Sequence, residues 1–100
     1  MVSAKYKVRG KVWLWPGENG AWHFVHVDKK TSEIIKKTQT TPRRGFGSVR
    51  VEATIGKTRW KTSIFPDSRS GTYLLPLKAS VRRTEAIGDG DVISFTLEIR

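Results

Sequence analysis

The chain contains no cysteine. Disulfides, thiolate zinc sites and cysteine nucleophiles are therefore excluded, and a reducing cytoplasm suits such a chain. No apolar run approaches the ~20 residues of a membrane helix. The opening residues MVSAKYKVRG lack the apolar region of a secretory signal. The expectation is a soluble cytoplasmic protein that makes no membrane contact. Acidic residues are scarce: 9 Asp and Glu stand against 19 Lys and Arg, for a net charge of +10 over 100 residues. Such a balance favours solubility and attraction to polyanions, and says nothing about fold. The cations are spread along the chain with no basic block, so a disordered basic arm is excluded. Residues 1–100 are read as one domain, which at this size buries somewhat over ~60% of its unfolded surface.

What is present is alternation. In KYKVRGKVWLW (5–15), Lys5, Lys7, Arg9 and Lys11 alternate with Tyr6, Val8, Gly10, Val12 and Leu14. That period sets cations on one face of a strand and apolar residues on the other. PGENG (16–20) is turn chemistry, and AWHFVHV (21–27) reads as the returning strand. Asp28 is placed to cap a short helix, KKTSEIIKKT, with Ile34 and Ile35 as its narrow apolar face. Residues 38–47 (TQTTPRRGFG) form the longest loop. SVRVEATI (48–55) and TRWKTSIF (58–65) form a hairpin around Gly56-Lys57, a glycine-first turn of type II′. PDSRSG (66–71) is a turn and TYLLPL (72–77) a strand. KASVRRTEA (78–86) is a helical turn or two, ended by Gly88, and the last strand spans 91–99. Gly56 and Gly88 are both expected to have positive φ. Val8, Val12, Val49, Val51, Leu75, Phe95 and Leu97 are expected in the core, with Trp22 and Trp60. The two halves share one pattern: strand, turn, strand, helix, connection, strand. The predicted fold class is all-β: a small closed barrel of six to seven strands with one short α-helix and a helical turn. An open two-layer sandwich is the alternative.

SVRVEATIGKTRWKTSIFPDSRSGTYLLPLKASVRRTEAIGDGDVISFTLEI resembles the bacterial domain-of-unknown-function family numbered nineteen-oh-five. The matching positions include Gly56, Ser63, Pro66, Gly71, Tyr73, Leu75, Pro76, Val81, Arg82, Gly88, Asp91 and Val92. GAWHFVHV matches more loosely, and Asp28 stands where the family commonly has proline. The resemblance implies a compact β-barrel and no activity; some members carry the domain beside a second, helical one. LLPLKASVRRTEAIGDGDVISFTLEI is also similar to the strand, helix, Gly-Asp, strand unit of the swapped-hairpin transcription regulators and antitoxins, which are DNA-binding dimers.

No catalytic constellation appears. Serines lack a G-x-S-x-G setting, and RRGFG lacks the G-K-[ST] ending of a P-loop. His23 and His26, three apart on a strand, face opposite ways and do not pair as metal ligands. Asp89 and Asp91 flank a turn glycine and are too few for a calcium loop. No cofactor and no metal are expected. The chain reads as a non-enzymatic binding or interaction module, monomeric or homodimeric. One reading is weak contact with nucleic acid or another polyanion through Lys5, Lys7, Arg9, Lys11, Arg43, Arg44, Arg50 and Arg59, a stripe of cations that equally serves as a solvated wall. Trp13, Trp15, His23 and Phe46 are candidates for base stacking or for a pocket. The alternative is a small-ligand barrel, its mouth near the first turn and the 39–47 loop.

Overall fold

Strands that alternate this strictly must bury one face, and closing the sheet on itself buries that face without leaving edges. The computed structural model describes residues 4–17, 20–38 and 47–100. Its elements are β1 (Lys5–Gly17), β2 (Gly20–His26), α1 (Lys29–Thr38), β3 (Val49–Ile55), β4 (Thr58–Asp67), β5 (Thr72–Pro76), α2 (Ala79–Thr84) and β6 (Val92–Ile99). All neighbouring strands are antiparallel, and they close into a barrel in the order β1-β2-β5-β4-β3-β6.

The two long strands make the corners. β1 pairs with β6 over Lys5–Lys11, then with β2 over Val12–Gly17. β4 pairs with β3 over Thr58–Ile64, then with β5 over Phe65–Asp67. Exchanging β1 with β4, β2 with β5 and β3 with β6 turns this set of ladders into itself. The repeated pattern of the two halves is thus a pseudo-twofold in the fold, with the β2–β5 and β3–β6 pairs on its axis. Gly10 sits at the β1 corner: a Cβ there would lie 2.8 Å from Val25 Cγ2 and 2.9 Å from the His26 carbonyl oxygen.

The inward faces fill the barrel. Val8, Val12, Val49, Val51, Leu75, Phe95 and Leu97 are all buried, and Val25, Ile64 and Trp60 join them. Because β2 and β5 run antiparallel, the helices that follow them lie at opposite ends of the barrel. Ile35 of α1 and Val81 of α2 both enter the core. Asp28 caps α1, accepting from Thr31 N–H at 2.9 Å. β5 and β6 pair with β1, β2, β3 and β4, so the segment similar to swapped-hairpin proteins is built into the barrel wall.

Several local expectations need correction. Trp22 is 59% exposed. In β2 it is Val25 and, just beyond the strand, Val27 that point inward, which turns Trp22, Phe24 and His26 outward. On α1 the second buried residue is Ser32, and Ile34 faces solvent. Ser32 Oγ donates to the Val27 carbonyl and accepts from Tyr73 N–H, each at 3.1 Å, so a hydroxyl locks the helix to β2 and β5. β4 continues through Pro66 and Asp67, so the turn expected over 66–71 begins only after Asp67. α2 is shorter than 78–86. Gly56 has φ 56°, as a type II′ turn requires, but Gly88 does not adopt positive φ. Ala86 does, at 54°. Ile87 N–H bonds the Arg82 carbonyl and Ala86 N–H the Arg83 carbonyl, which makes a Schellman cap with alanine in the left-handed position.

Two substitutions test these backbone assignments. Gly10→Ala should destabilise by about 1–3 kcal/mol, because the backbone carbonyl of His26 cannot give way as a side chain would. Ala86→Gly should stabilise by about 0.5–1 kcal/mol, relieving an L-residue in left-handed space. Both are read from urea unfolding, and a destabilising Ala86→Gly would refute the cap.

Candidate binding groove

The outward residues of β1 change character at the corner. Before it come Lys5, Lys7, Arg9 and Lys11, all exposed; after it come Trp13 and Trp15. The two halves face out of different sides of the barrel and have different neighbours.

On the β6–β3 side, Lys5 lies opposite Glu98, Lys7 opposite Thr96 and Arg9 opposite Ser94. Glu98 lies opposite Glu52, and Glu52 opposite Lys61. Arg59 reaches Glu52 at 3.7 Å. Like charges facing each other across β3 and β6 are thus bordered by cations, a mesh of mixed sign whose exposed pairs are individually weak.

On the β2–β5 side, the outer wall is aromatic. Trp15 lies opposite Trp22, and Trp13 opposite Phe24, which in turn lies opposite Pro76. A third row runs from His26 through Leu74 to Phe65. Strands ~4.8 Å apart, with outward residues ~6.6–7 Å apart along each, bring these rings into contact. Trp13 meets Trp15 edge-on at 6.0 Å between centroids, Phe24 at 5.3 Å, and His26 in a stack at 5.5 Å. Trp22 stacks on Phe24 at 6.5 Å. An open groove of about 1330 Å³ lies over this wall, on the β2–β5 end of the pseudo-twofold axis. Its outermost rings are exposed: Trp22 (59%), Trp15 (45%) and Phe65 (41%).

Cations border the groove: Arg50 from β3, Lys61 from β4, Arg69 from the turn after β4, and Arg100. The Arg69 guanidinium lies 5.9 Å from the Trp15 ring centroid, a cation–π contact. Asp67 is the carboxylate among the lining residues. The Ser70 hydroxyl, donating to Asp67 Oδ2 at 2.8 Å, is the main cause holding this carboxyl below its usual range; burial opposes it, and the Arg69 and Ser70 N–H groups and His26 add to the lowering. The Trp13 indole N–H is buried with no hydrogen-bond partner among the described residues.

The structure divides the residues singled out from sequence. Trp13, Trp15 and Arg50 line the groove. Lys5, Lys7, Arg9, Lys11 and Arg59 belong to the other side of the barrel. His23 shares the inward side of β2 with Val25 and lies opposite Leu14 on β1, remote from the stack that His26 joins. Arg43, Arg44 and Phe46, and with them most of the loop proposed to border the barrel mouth, lie outside the described residues. Sequence reading missed Trp22, Phe24, His26, Phe65 and Leu74 as one surface. The signal that could have found them is the parity of β2, since taking Val25 and Val27 as inward makes every second residue before them an outward ring. Among the described residues no cluster of three or more His, Asp or Glu is placed to hold a metal, and no helix is long and apolar enough to cross a membrane.

A comparison with family models matches residues 9–97 to the Domain of unknown function (DUF1905). The chain belongs to this family. No curated protein matches the chain.

His23 supplies a test of the assignment of faces. Burial above all, then the Arg82 guanidinium, pushes its pKa down, against a smaller opposing pull from Asp89. The unfolded chain protonates this residue near the ordinary ~6.5, before the folded chain does. Below about pH 6.5 the unfolded state therefore binds more protons, and stability falls as pH falls towards the depressed folded pKa. Between pH 7.5 and 5.5 the wild type should lose more thermal stability than His23→Gln. Equal losses would place His23 in solvent and overturn its inward position.

Proposed function

We propose that this DUF1905 domain is a non-enzymatic cytoplasmic module that binds single-stranded nucleic acid in the aromatic groove. Bases stack on Trp15, Trp22 and Phe65, while Arg50, Lys61, Arg69 and Arg100 meet phosphates. The observation that carries the reading is the union of exposed flat rings and bordering cations on one concave surface. Stacking and phosphate neutralisation are the two terms by which single strands are held without strict sequence requirement. The open volume exceeds the ~300–1,000 Å³ of ordinary small-molecule pockets, which favours an extended polymer over one compact ligand. Lys5, Lys7, Arg9 and Lys11 serve in this reading as long-range attraction, since their cross-strand partners include Glu98 and hydroxyls.

A salt titration with a labelled twelve-nucleotide single strand tests this. Four phosphate contacts imply a slope of log K against log salt of roughly −3. Replacing Arg50, Lys61, Arg69 and Arg100 together by Gln should remove most of that slope; replacing Lys5, Lys7, Arg9 and Lys11 should remove little. Trp15→Ala and Trp22→Ala should each weaken binding by about 1–3 kcal/mol. Absence of binding at low salt, or a slope governed by the β1 cations, would overturn the groove as the site.

A further inference from the structure

We infer that His26 reads the edge of a stacked base as a hydrogen-bond acceptor, and so favours bases that present an amino group. This rests on the nucleic-acid reading above. The argument begins at Asp67, whose ionised carboxylate can only accept. Ser70 Oγ lies 2.8 Å from Asp67 Oδ2 and 2.7 Å from Thr72 Oγ1. Thr72 Oγ1 lies 2.8 Å from His26 Nδ1. Each hydroxyl has one proton, so the chain runs in one direction only. The bond to the carboxylate is charge-assisted, about twice as strong as a neutral one, and it claims the Ser70 proton. Ser70 must then accept from Thr72, and Thr72, its proton committed, must accept from His26. The Thr72 N–H, 3.3 Å from Ser70 Oγ, fixes the serine further.

His26 Nδ1 therefore carries a proton, and the neutral ring holds its lone pair on Nε2. That nitrogen has no partner among the described residues, and the ring lines the groove, stacked on Trp13. The stack and the hydroxyl chain together fix both the plane and the rotation of the imidazole. A fixed acceptor beside a stacking platform discriminates between bases. Cytosine offers an amino group at C4, where uracil offers a carbonyl oxygen that would oppose the Nε2 lone pair. An acceptor held opposite C4 rejects the base that presents an oxygen there, since uracil's own donor on that edge is N3–H, one ring atom away.

The test compares oligo(dC) with oligo(dU) of equal length at fixed salt and neutral pH, since the two bases differ only in the C4 substituent and the N3 proton. Wild type should bind oligo(dC) about three- to ten-fold tighter, the range expected of one hydrogen bond. Thr72→Val keeps the side-chain shape but cuts the chain, leaving the imidazole free to rotate and to move its proton. The preference should fall to about one-fold while affinity for oligo(dU) holds. His26→Phe should likewise abolish the preference for oligo(dC), whatever it does to affinity for oligo(dU). Nitrogen-15 NMR of the ring supplies a readout independent of nucleic acid: Nδ1 protonated in the wild type, and a mixture of tautomers in Thr72→Val. Equal binding of the two oligomers by the wild type, or a proton on Nε2, would overturn the role of His26 and leave the groove reading intact. Failure to bind either oligomer would overturn both.

Discussion

The six strands close because two long ones belong to both sides of the barrel at once, and in this chain β1 and β4 carry that constraint. Each gives its N-terminal part to the β3–β6 side and its C-terminal part to the β2–β5 side. The turn from one side to the other needs close approach of backbones, and at β1 it is made at Gly10, where no Cβ fits against the His26 carbonyl. Because a strand shows alternate residues outward on both sides of a corner, β1 can present one chemistry before the bend and another after it. Four cations precede Val12 and two tryptophans follow it, so the corner separates a cationic wall from an aromatic one.

The pseudo-twofold then decides what each wall meets. On the β3–β6 end of the axis the symmetry sets Glu52 opposite Glu98, a repulsion relieved by the adjoining Lys5, Lys61 and Arg59. On the β2–β5 end it sets the aromatic face of one half against Leu74, Pro76 and Phe65 of the other. Neither half contains the groove alone: the rings come mostly from β1 and β2, the bordering cations mostly from β3, β4 and the turn after β4.

The barrel was legible because β1, β3 and β6 alternate cleanly, and alternation states which face is buried. β2 defeated the same logic. In AWHFVHV both faces are apolar or aromatic, so periodicity cannot tell inside from outside, and a tryptophan in such a run is read as core when it is 59% exposed. α1 failed for a related reason. Ile34 and Ile35 look like an apolar face, but a ten-residue helix seated over a barrel end needs a small residue at closest approach, and Ser32 fills that position with its hydroxyl bonded on both sides. The α2 cap was misplaced by two residues because the glycine signal is strong in sequence, while the left-handed residue is Ala86. The groove was only partly visible: Trp13 and Trp15 announced themselves, but their partners arrive through cross-strand register, which no local pattern encodes.

The distribution of charge follows from the same geometry. A net charge of +10 on 100 residues would repel itself most strongly where cations cluster without anions. The β3–β6 wall sets Glu52 and Glu98 among Lys5, Lys7, Arg9, Lys11 and Arg59, so its cations are compensated in part. Beside the groove, Asp67 is already engaged by the Ser70 hydroxyl, and Arg50, Lys61, Arg69 and Arg100 adjoin a low-polarity aromatic surface. Potential is less screened over such a surface than over water-covered lysines. Four cations thus stand beside the side of the barrel where flat rings are exposed. Rings and cations far apart in the sequence, such as Trp15 and Arg69 or Trp22 and Arg50, come to line one groove only once the barrel has closed.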